Sequence, residues 1–400
     1  MDFVEGLRRF SFDGVPTGAF EQAGLRYFVN AFWTAGQRRG HSLHEISYRA
    51  CFKGQLPGFF IERLTEPGDR VFDPFSGRGT TAVQAALLGR APVANDVNPL
   101  SAMLCAPRLD PPSVAEVRTR LAGIDLSGAG GDPAEADLLA FYHPDTLRQI
   151  RALRGYLLNG GLLSGGLLEP GVPDAVDQWI RMVAINRLTG HSNGFFSVYT
   201  MPPNQAVSAA SQRRINAARG RVPPPRDVRA IILKKTVSLL ADGAPPLHPP
   251  ALLLTGAAEQ TPGLADASVD LIVTSPPFLD VVDYAGDNWL RCWFAGIDAG
   301  RVRIDRHRDV LAWQGFVRRG FAEFARVVRP GGFVAFEVGE VRGGRVLLER
   351  HVVAAIEGLP FDVLGVMVNQ QSFTKTANCW GVGNNRGGTN TNRIVMAVRR

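Results

Sequence analysis

Two short stretches of this 400-residue sequence carry residue types suited to binding a small ligand. In VFDPFSGRGTT, residues 71–81, an apolar strand ends at Asp73 and two glycines precede a predicted helix. Such a turn lets the backbone approach a ligand closely at the carboxyl edge of a sheet, and the free N–H groups at a helix start suit a carboxylate. In ANDVNP, Asp96 ends the next predicted strand, where a carboxylate can accept hydrogen bonds from both hydroxyls of a ribose.

The spacing of the glycines differs from that of the two common phosphate-binding loops. No Gly-Lys-Ser/Thr follows, as it would in a P-loop, and Gly77-Arg78-Gly79 lacks the third glycine of the dinucleotide fingerprint. The two stretches together predict a ligand without a phosphate. For either stretch alone, a solvated turn with a capping aspartate is the alternative interpretation.

The pattern of strands and helices predicts how these residues are positioned. A β-α-β unit carries both stretches, and alternation of strand and helix resumes after residue 249 with strands such as DLIVT, FVAFEVG and NRIVMAVRR. Between the two parts, residues 109–249 show helical patterns separated by glycine-rich stretches and end in the proline-rich DGAPPLHPP. We predict an α/β fold with a doubly wound, mostly parallel sheet that is interrupted by a helical insertion.

DPFSGRGTT followed by ANDVNPLSA resembles motif I and the acidic loop after it in the amino-group DNA methyltransferases, which bind S-adenosylmethionine. HEISYRACFKGQLPGFFIERL is similar to the segment that precedes motif I in that family and closes over the cofactor. The resemblance implies the class I, Rossmann-like methyltransferase fold with a seven-stranded sheet. It also implies a set of cofactor-binding residues, which are Asp73, Pro74, Phe75, Ser76, Gly77, Gly79, Thr80, Thr81, Asp96, Asn98 and Thr274.

A second motif of that family, TSPPY, is similar to Thr274–Phe278, with phenylalanine in place of the usual tyrosine. Methyl transfer to an exocyclic amine is difficult because the nitrogen lone pair is delocalised into the ring, and acceptors placed on the N–H groups oppose that delocalisation. Ser275 and Pro276 supply a hydroxyl and a carbonyl as acceptors, which Pro277 helps to hold rigidly. Phe278 offers a flat face on which an extruded base can stack. We therefore predict that these four residues are catalytic; a simple edge turn is the alternative.

Serine directly before the two prolines of this motif is commonest in enzymes that methylate N4 of cytosine. We therefore expect a site-specific DNA methyltransferase that flips a cytosine out of the duplex and transfers a methyl group to its N4 amine. The order of parts, with an insertion between the two motifs, is similar to the α arrangement, which serine-type N4 enzymes mostly lack. N6-adenine methylation, RNA methylation on the same fold, and a catalytically silent nucleic-acid-binding module remain the alternatives.

Four segments follow from this interpretation. They are an N-terminal helical segment, residues 1–40; the first part of the catalytic domain, 41–108; an inserted helical target-recognition domain, 109–249; and the second part of the catalytic domain, 250–400. One departure from the family lies after ALLLTG, where Ala257 stands at the position of an acid that often binds the cofactor's adenine amine. Glu259 is the nearby candidate for that role.

The charge pattern favours a polyanionic partner. The net charge is +7, and QAVSAASQRRINAARGRVPPPRDVRAIILKK in the insertion holds eight basic residues against one acid. We expect double-stranded DNA as the partner, with a cognate restriction endonuclease as a second candidate; a solvated helix face is the alternative interpretation. The predicted DNA contacts are Arg213, Arg214, Arg219, Arg221, Lys234 and Lys235, together with Lys375 and Arg386 in a long Asn- and Gly-rich loop near the C-terminus.

Other features of the composition indicate what the protein lacks. The N-terminus is acidic where a secretion signal is basic, and no apolar run is long enough to cross a bilayer. The four cysteines are scattered without metal-ligand spacing. We therefore expect a cytoplasmic protein without a membrane association, a metal ion or a disulfide.

Overall fold

The computed structural model describes most of the chain. The described residues are 3–33, 40–48, 51–128, 133–159, 174–201, 206–246, 249–279, 284–341, 345–370 and 391–400. Two of the predicted DNA contacts, Lys375 and Arg386, lie outside the described residues.

Strands and helices alternate in the two outer parts of the chain, and the middle part is helical. The strands are β1 (Ser11–Phe12), β2 (Val15–Pro16), β3 (Gly18–Gln22), β4 (Leu25–Asn30), β5 (Arg70–Asp73), β6 (Ala91–Asp96), β7 (Leu252–Thr255), β8 (Val269–Thr274), β9 (Val328–Val338), β10 (Glu340–Val341), β11 (Val346–Leu347), β12 (Phe361–Gln370) and β13 (Thr391–Arg399). The α-helices are α1 (Phe3–Arg9), α2 (Gln55–Leu64), α3 (Thr80–Leu87), α4 (Leu100–Leu109), α5 (Val114–Gly123), α6 (Pro144–Leu158), α7 (Ala175–Arg187), α8 (Ala209–Ala218), α9 (Val228–Leu239), α10 (Tyr284–Ala295), α11 (Val310–Val327) and α12 (Leu348–Ile356). Short 3₁₀ helices cover Ser42–His44, Pro133–Ala140 and Ala299–Arg301.

Nine strands form one sheet in the order β3-β4-β12-β13-β9-β8-β5-β6-β7. Neighbours from β7 to β9 pair in parallel, whereas β13 runs antiparallel to both β9 and β12. The seven strands from β7 to β12, with their single reversed strand, have the strand order of the class I methyltransferase sheet, which confirms the predicted fold class. Because β5, β6, β8 and β9 are parallel, their carboxyl ends meet at one edge of the sheet.

The prediction of a helical N-terminal segment is wrong for residues 18–30. This stretch forms the hairpin β3–β4, closed by Ala23 and Gly24, whose φ angles of 53° and 72° are those of a tight hairpin turn. β4 then pairs in parallel with β12 and extends the sheet by two strands. Tyr27 and Phe28 are neighbours in sequence but are buried on opposite faces of the sheet, in different clusters. A strand covered on both faces has no simple alternation, so its apolar run resembles helical spacing.

The insertion is helical in its described part and shares its core with the catalytic domain. One cluster of buried side chains joins Leu104 of α4, Trp179 of α7, Ile232 of α9 and Phe294 of α10. The Trp179 indole also donates a hydrogen bond to Thr236 of α9 at 3.0 Å. The insertion thus packs directly against α10, the helix that follows the Ser-Pro-Pro-Phe motif in the chain. The boundaries of the four segments remain a prediction.

The opposite face of the sheet is covered by α11 and α12. Trp313 and Phe321 of α11 and Val352 of α12 are fully buried there against the strands. This layer is apolar at helical spacing, as the sequence WQGFVRRGFAEFARVV predicts. With helices on both faces, the polar groups at the carboxyl edge of the strands are left as the place for a ligand.

Candidate cofactor and target-base site

A cleft at the carboxyl edge of the sheet brings the two sequence motifs together. It holds about 850 Å³ of empty space, including the part that is open to solvent, a size within the range of small-molecule sites. Residues of the first motif that line it are Asp73, Pro74, Phe75, Ser76, Gly77, Arg78, Thr80 and Asp96. Ser275 and Pro277 of the second motif line the same cleft. Stretches that are remote in sequence thus face one ligand-sized space.

Asp73 is the buried link between the motifs. Its Oδ1 accepts a hydrogen bond from the Thr274 hydroxyl at 2.6 Å and from the Phe75 N–H at 3.1 Å. The Thr81 hydroxyl donates to the Val273 carbonyl at 3.1 Å, which joins α3 to β8. Burial raises the pKa of Asp73 to about 7, although the hydrogen bonds from Thr274 and Phe75 oppose that rise.

Asp96 holds the glycine turn from the end of β6. Its Oδ2 accepts from the Gly77 N–H at 2.8 Å and its Oδ1 from the Asn98 N–H at 2.9 Å. Burial raises the pKa of this carboxyl group. A carboxylate offers about four lone pairs, so each oxygen keeps capacity for one further donor. That arrangement suits two neighbouring hydroxyl groups.

The turn itself depends on glycine. Gly77 and Gly79 have φ angles of 52° and 76°, in the left-handed region that disfavours side chains. A Cβ at Gly79 would also lie 2.6 Å from the Cys105 sulfur of α4. The close packing of α4 behind the turn explains why this position has no side chain.

Several predicted site residues lie behind the wall of the cleft. Thr274 and Thr81 are fully buried in the contacts given above. The Asn98 side chain accepts from the Leu100 N–H at 3.0 Å at the start of α4. Gly79, Thr81, Asn98, Thr274, Pro276 and Phe278 are absent from the lining of the cleft in the described part of the chain. The contacts of Gly79, Thr81, Asn98 and Thr274 support the wall of the cleft from behind. Contact between these four residues and the cofactor remains a prediction.

The Ser-Pro-Pro-Phe loop is held from two sides. The Trp313 indole of α11 donates to the Pro277 carbonyl at 2.9 Å. The Ser275 side chain lies near the Glu337 carboxylate of β9, whose pKa it lowers, and the Asn392 amide of β13 donates a hydrogen bond to the same carboxylate. Phe278 is half-buried and has no aromatic partner among the described rings. These contacts fix the position of the loop that carries Ser275.

Glu337 is a site residue that the sequence reasoning missed. It is 7% exposed and forms no ion pair within the described residues. Burial raises its pKa to about 6 against the opposing hydrogen bonds from Asn392 and Ser275. The signal in the sequence is a lone acid in the apolar strand FVAFEV, because a charge in a buried strand is expensive unless it has partners.

Further walls of the cleft come from elements outside the two motifs. Arg78 donates to the Ile46 carbonyl at 2.6 Å and to the Phe52 carbonyl at 3.1 Å, which holds the upstream segment against the turn. Glu259 lines the cleft and forms an ion pair with Arg319 at 3.2 Å. Other lining residues are Tyr48, Cys51, Phe52, Ala257, Ile304, Asp305 and Phe316. Ala257 and the upstream segment, which contains Tyr48, Cys51 and Phe52, were expected near the cofactor from the sequence. Ile304, Asp305 and Phe316 were not.

Comparison with known proteins agrees with the site. Residues 22–114 match a family described as DNA methylase, whose model covers N6 and N4 enzymes. This part of the chain is similar to the amino-group DNA methyltransferases. The match supports the family and the S-adenosylmethionine cofactor that the motifs imply, without separating N6 from N4. The Type II methyltransferase M.MjaII of Methanocaldococcus jannaschii is 33% identical over 69 residues, a region that covers 17% of this chain and 13% of that relative.

Two solved structures show weaker similarity. A putative DNA modification methylase from Thermus thermophilus is 21% identical with a TM-score of 0.24, and the alignment covers 36% of this chain and 52% of that one. Geranyl diphosphate C-methyltransferase from Streptomyces coelicolor A3(2) is 10% identical with a TM-score of 0.33, and the alignment covers 86% of this chain and 75% of that one. These values add nothing to what the strand order shows.

The packing behind the glycine turn predicts the effect of a single methyl group. We expect Gly79→Ala to lower the free energy of unfolding by about 2–4 kcal/mol, because it combines backbone strain with a clash against Cys105. Gly89→Ala is the matched control, since Gly89 has a φ of 73° but nothing lies within 4 Å of the added Cβ. It should cost only about 1 kcal/mol. Equal losses in denaturant titrations of the two variants would contradict the clash.

The raised pKa of Asp73 predicts a pH-dependent stability. The folded protein binds the Asp73 proton more tightly than the unfolded chain does. The stability that protonated Asp73 contributes is therefore complete below about pH 4 and is lost as the pH rises through about 7. Asp73→Asn removes this loss, and the variant should gain up to about 4 kcal/mol relative to the wild type between pH 4 and 8. Chemical denaturation across that range measures the difference. Glu21→Gln, at an exposed position, is the control and should run parallel to the wild type.

Proposed function

We propose that this protein is a DNA methyltransferase that transfers a methyl group from S-adenosylmethionine to the exocyclic N4 amine of a cytosine flipped out of the duplex. The observation that carries the proposal is the shared cleft. Ser275, whose side chain lies near the buried Glu337 carboxylate, lines the same space as Asp73 and Asp96. The match to the DNA methylase family supports the cofactor and the class of substrate.

The residues of the cleft fit the parts of the cofactor. Asp96 has acceptor capacity for the two ribose hydroxyls, and Gly77 leaves the backbone accessible beside it. Thr80 and the first N–H groups of α3 suit the carboxylate of the methionine part. Phe75 and Phe316, whose ring centroids are 5.6 Å apart, provide an apolar wall. When bound, S-adenosylmethionine supplies an electrophilic methyl group on a positively charged sulfur.

Glu337 determines which way Ser275 can hydrogen-bond. A hydroxyl has one proton and two lone pairs, and in the proposed arrangement Ser275 donates its proton to the nearby Glu337 carboxylate. Its oxygen must then accept a hydrogen bond from the target amine rather than donate one to the nitrogen lone pair. The Pro276 carbonyl is the second acceptor in the proposed arrangement. Both acceptors draw the amine out of conjugation with the ring, which makes its lone pair available.

Glu337 also provides a path for the proton that must leave. Once the nitrogen has formed its new bond to carbon it is positively charged, and one N–H bond must break. That proton passes to the Ser275 oxygen while the hydroxyl proton of Ser275 passes to the Glu337 carboxylate, so that a neutral methylated amine and a neutral carboxylic acid result. A carboxylate whose pKa is raised toward 6 is a better proton acceptor than an ordinary one.

N6-adenine methylation is the second candidate because of the order of parts. The insertion between the two motifs is similar to the α arrangement, whereas serine in the motif favours cytosine. The amine chemistry described for Ser275 and Glu337 applies to either base.

DNA contact is proposed for a reduced set of cations. Arg213 is paired with Asp137 and Lys235 with Glu45, so these two have local structural partners. Arg214, Arg219, Arg221 and Lys234 form no ion pair within the described residues and are the better candidates for phosphate contact. A cognate restriction endonuclease stays a proposed partner, in keeping with the Type II name of the relative. Among the described helices, none has both the length and the apolar character needed to span a membrane.

The decisive experiment identifies the methylated nucleoside. Incubation of the protein with labelled S-adenosylmethionine and mixed-sequence duplex DNA, followed by digestion to nucleosides, should give labelled N4-methylcytosine. Labelled N6-methyladenine would overturn the cytosine assignment, and label found only after incubation with RNA would overturn the class of substrate. Cofactor binding without any transfer to a nucleic acid would favour the silent binding module.

Two substitutions test the roles of Ser275 and Glu337. Ser275→Ala should lower kcat by about 100-fold, because one acceptor for the developing charge is lost. Glu337→Gln should lower kcat by about 10- to 100-fold and should abolish the fall in rate that the wild type shows as the pH drops through about 6, where Glu337 becomes protonated. Glu357→Gln changes the same charge at an exposed position and is the control. A wild-type pH profile retained by Glu337→Gln would contradict the proton path.

A further inference from the structure

We propose that residues 219–226, RGRVPPPR, form the element of the insertion that enters a groove of duplex DNA, with Tyr199 as its support. We call residues 219–226 the proline loop. The inference rests on the proposed function, because it assumes a DNA substrate, and it adds which surface of the insertion holds that substrate. The loop combines unneutralised charge, a rigid backbone and an exposed apolar tip.

Two exposed arginines of the proline loop stack on an aromatic ring. The Arg219 and Arg221 guanidinium carbons lie 4.0 Å and 5.6 Å from the centroid of the Tyr199 ring. A stacked guanidinium keeps the N–H groups at its edge available for phosphate or base atoms. Neither arginine forms an ion pair with any described residue. Two positive charges held together without an acid are what a polyanionic partner neutralises.

Other arginines of the insertion serve the fold, and their contacts differ. Arg120 pairs with both Asp174 and Asp177, each at 2.6 Å. Arg229, which follows the proline loop in sequence, donates to the Leu121 carbonyl at 2.9 Å and so caps the end of α5. These arginines of the insertion thus form ion pairs or cap helices. Arg187 and Arg154 also stack on rings, but Arg187 is buried and Arg154 donates to the Trp293 carbonyl. Exposed stacking without an acid partner distinguishes the loop.

The backbone of the proline loop is fixed at both ends. The Arg221 N–H donates to the Asn216 carbonyl at 2.9 Å after a turn at Gly220, whose φ is 57°. At the other end the Arg226 N–H donates to the Thr146 hydroxyl at 2.7 Å, and the Arg226 side chain donates to Asn193 at 2.8 Å. Three consecutive prolines fix φ in between. A loop this constrained loses little conformational entropy when it binds a partner.

The tip of the loop is apolar and exposed. Val222, between Arg221 and the prolines, is 81% exposed, the highest value among the large apolar residues of the described chain. Nothing in the packing of the insertion requires an apolar side chain at this place. Apolar side chains in a DNA groove contact thymine methyl groups or wedge between base steps, beside arginines that contact base edges or phosphates. The sequence Arg-Val-Pro at an exposed turn fits that arrangement.

The segments on either side of Tyr199, the support of the loop, are hydrogen-bonded to other parts of the protein. Tyr199 lies between α7 and α8, and on the α7 side Asn186 accepts from the Ser47 N–H at 2.8 Å, next to the cleft residue Tyr48. On the α8 side the Ala206 N–H donates to the Asp287 carbonyl of α10 at 3.2 Å. These two contacts join the chain around Tyr199 to the upstream segment and to α10, the helix that follows the Ser-Pro-Pro-Phe loop.

A double substitution with a charge-matched control tests the proposal. Arg219→Ala with Arg221→Ala should weaken binding to a mixed-sequence duplex DNA at least tenfold, and should reduce the slope of log K against log salt by about 0.9 for each phosphate that is no longer neutralised. Arg8→Ala with Arg9→Ala removes the same charge from the exposed surface of α1 and should leave both quantities near those of the wild type. Equal binding by the two double variants would overturn the proposal.

The stacking is tested separately from the charge. Tyr199→Phe keeps the ring and should bind DNA as the wild type does, whereas Tyr199→Leu loses the ring and should weaken binding severalfold. Thermal denaturation of both variants shows whether the insertion stays folded. If Tyr199→Phe weakens DNA binding as much as Tyr199→Leu does, the stacking role is wrong.

Two further measurements separate this inference from the proposed function. The affinity of the arginine double variant for S-adenosylmethionine, measured by calorimetry, should equal that of the wild type, because neither arginine lines the cleft. If the wild type methylates duplex DNA and the double variant binds that DNA as well as the control does, only the proline-loop proposal fails. If the wild type neither binds nor methylates duplex DNA, both fail. Loss of binding by the double variant to single-stranded RNA alone would overturn the assignment to a duplex.

Discussion

The site depends on one buried hydrogen bond, from the Thr274 hydroxyl to the Asp73 carboxylate at 2.6 Å. These two residues are 201 positions apart in the chain and end the adjacent parallel strands β8 and β5. A carboxylate without donors at this depth would be costly. The bond from Thr274 and the bond from the Phe75 N–H offset part of that cost and also set the path of both loops that leave the sheet. The glycine turn and the Ser-Pro-Pro-Phe loop therefore face each other across a single cleft.

Buried arginines hold the glycine turn from the side opposite the sheet. Arg108 of α4 is fully buried and donates to the carbonyls of Leu43, Leu104 and Arg78, while Arg78 itself donates to the upstream segment. Burial lowers the pKa of Arg108 to about 10. Because a guanidinium has five donors in a fixed plane, one side chain can join three stretches of backbone. The upstream segment, the turn and α4 are thus packed as one unit beside the cofactor cleft.

The motif residues are predictable from sequence because their roles are local or follow from strand order. Asp73, Gly77, Gly79 and Asp96 occupy positions set by one β-α-β unit, and parallel strands bring Ser275 to the same edge. Strand β4 of the N-terminal hairpin was missed because a strand buried on both faces has no simple alternation. Glu337 was missed because its partners, Ser275 and Asn392, come from other strands, and no spacing within FVAFEVG indicates them.

The sequence alone determined the class of fold, the similarity to amino-group DNA methyltransferases and the residues that form the glycine turn and the Ser-Pro-Pro-Phe loop. These are properties of short stretches, in which φ preferences, apolar periodicity and chain order act over a few residues. Only the tertiary structure decided which groups complete the site, such as Glu337 behind Ser275 and Phe316 across from Phe75, and which arginines of the insertion are left unpaired. Those outcomes depend on contacts between remote parts of the chain, because a side chain's charge partners and burial are set by packing rather than by its neighbours in sequence.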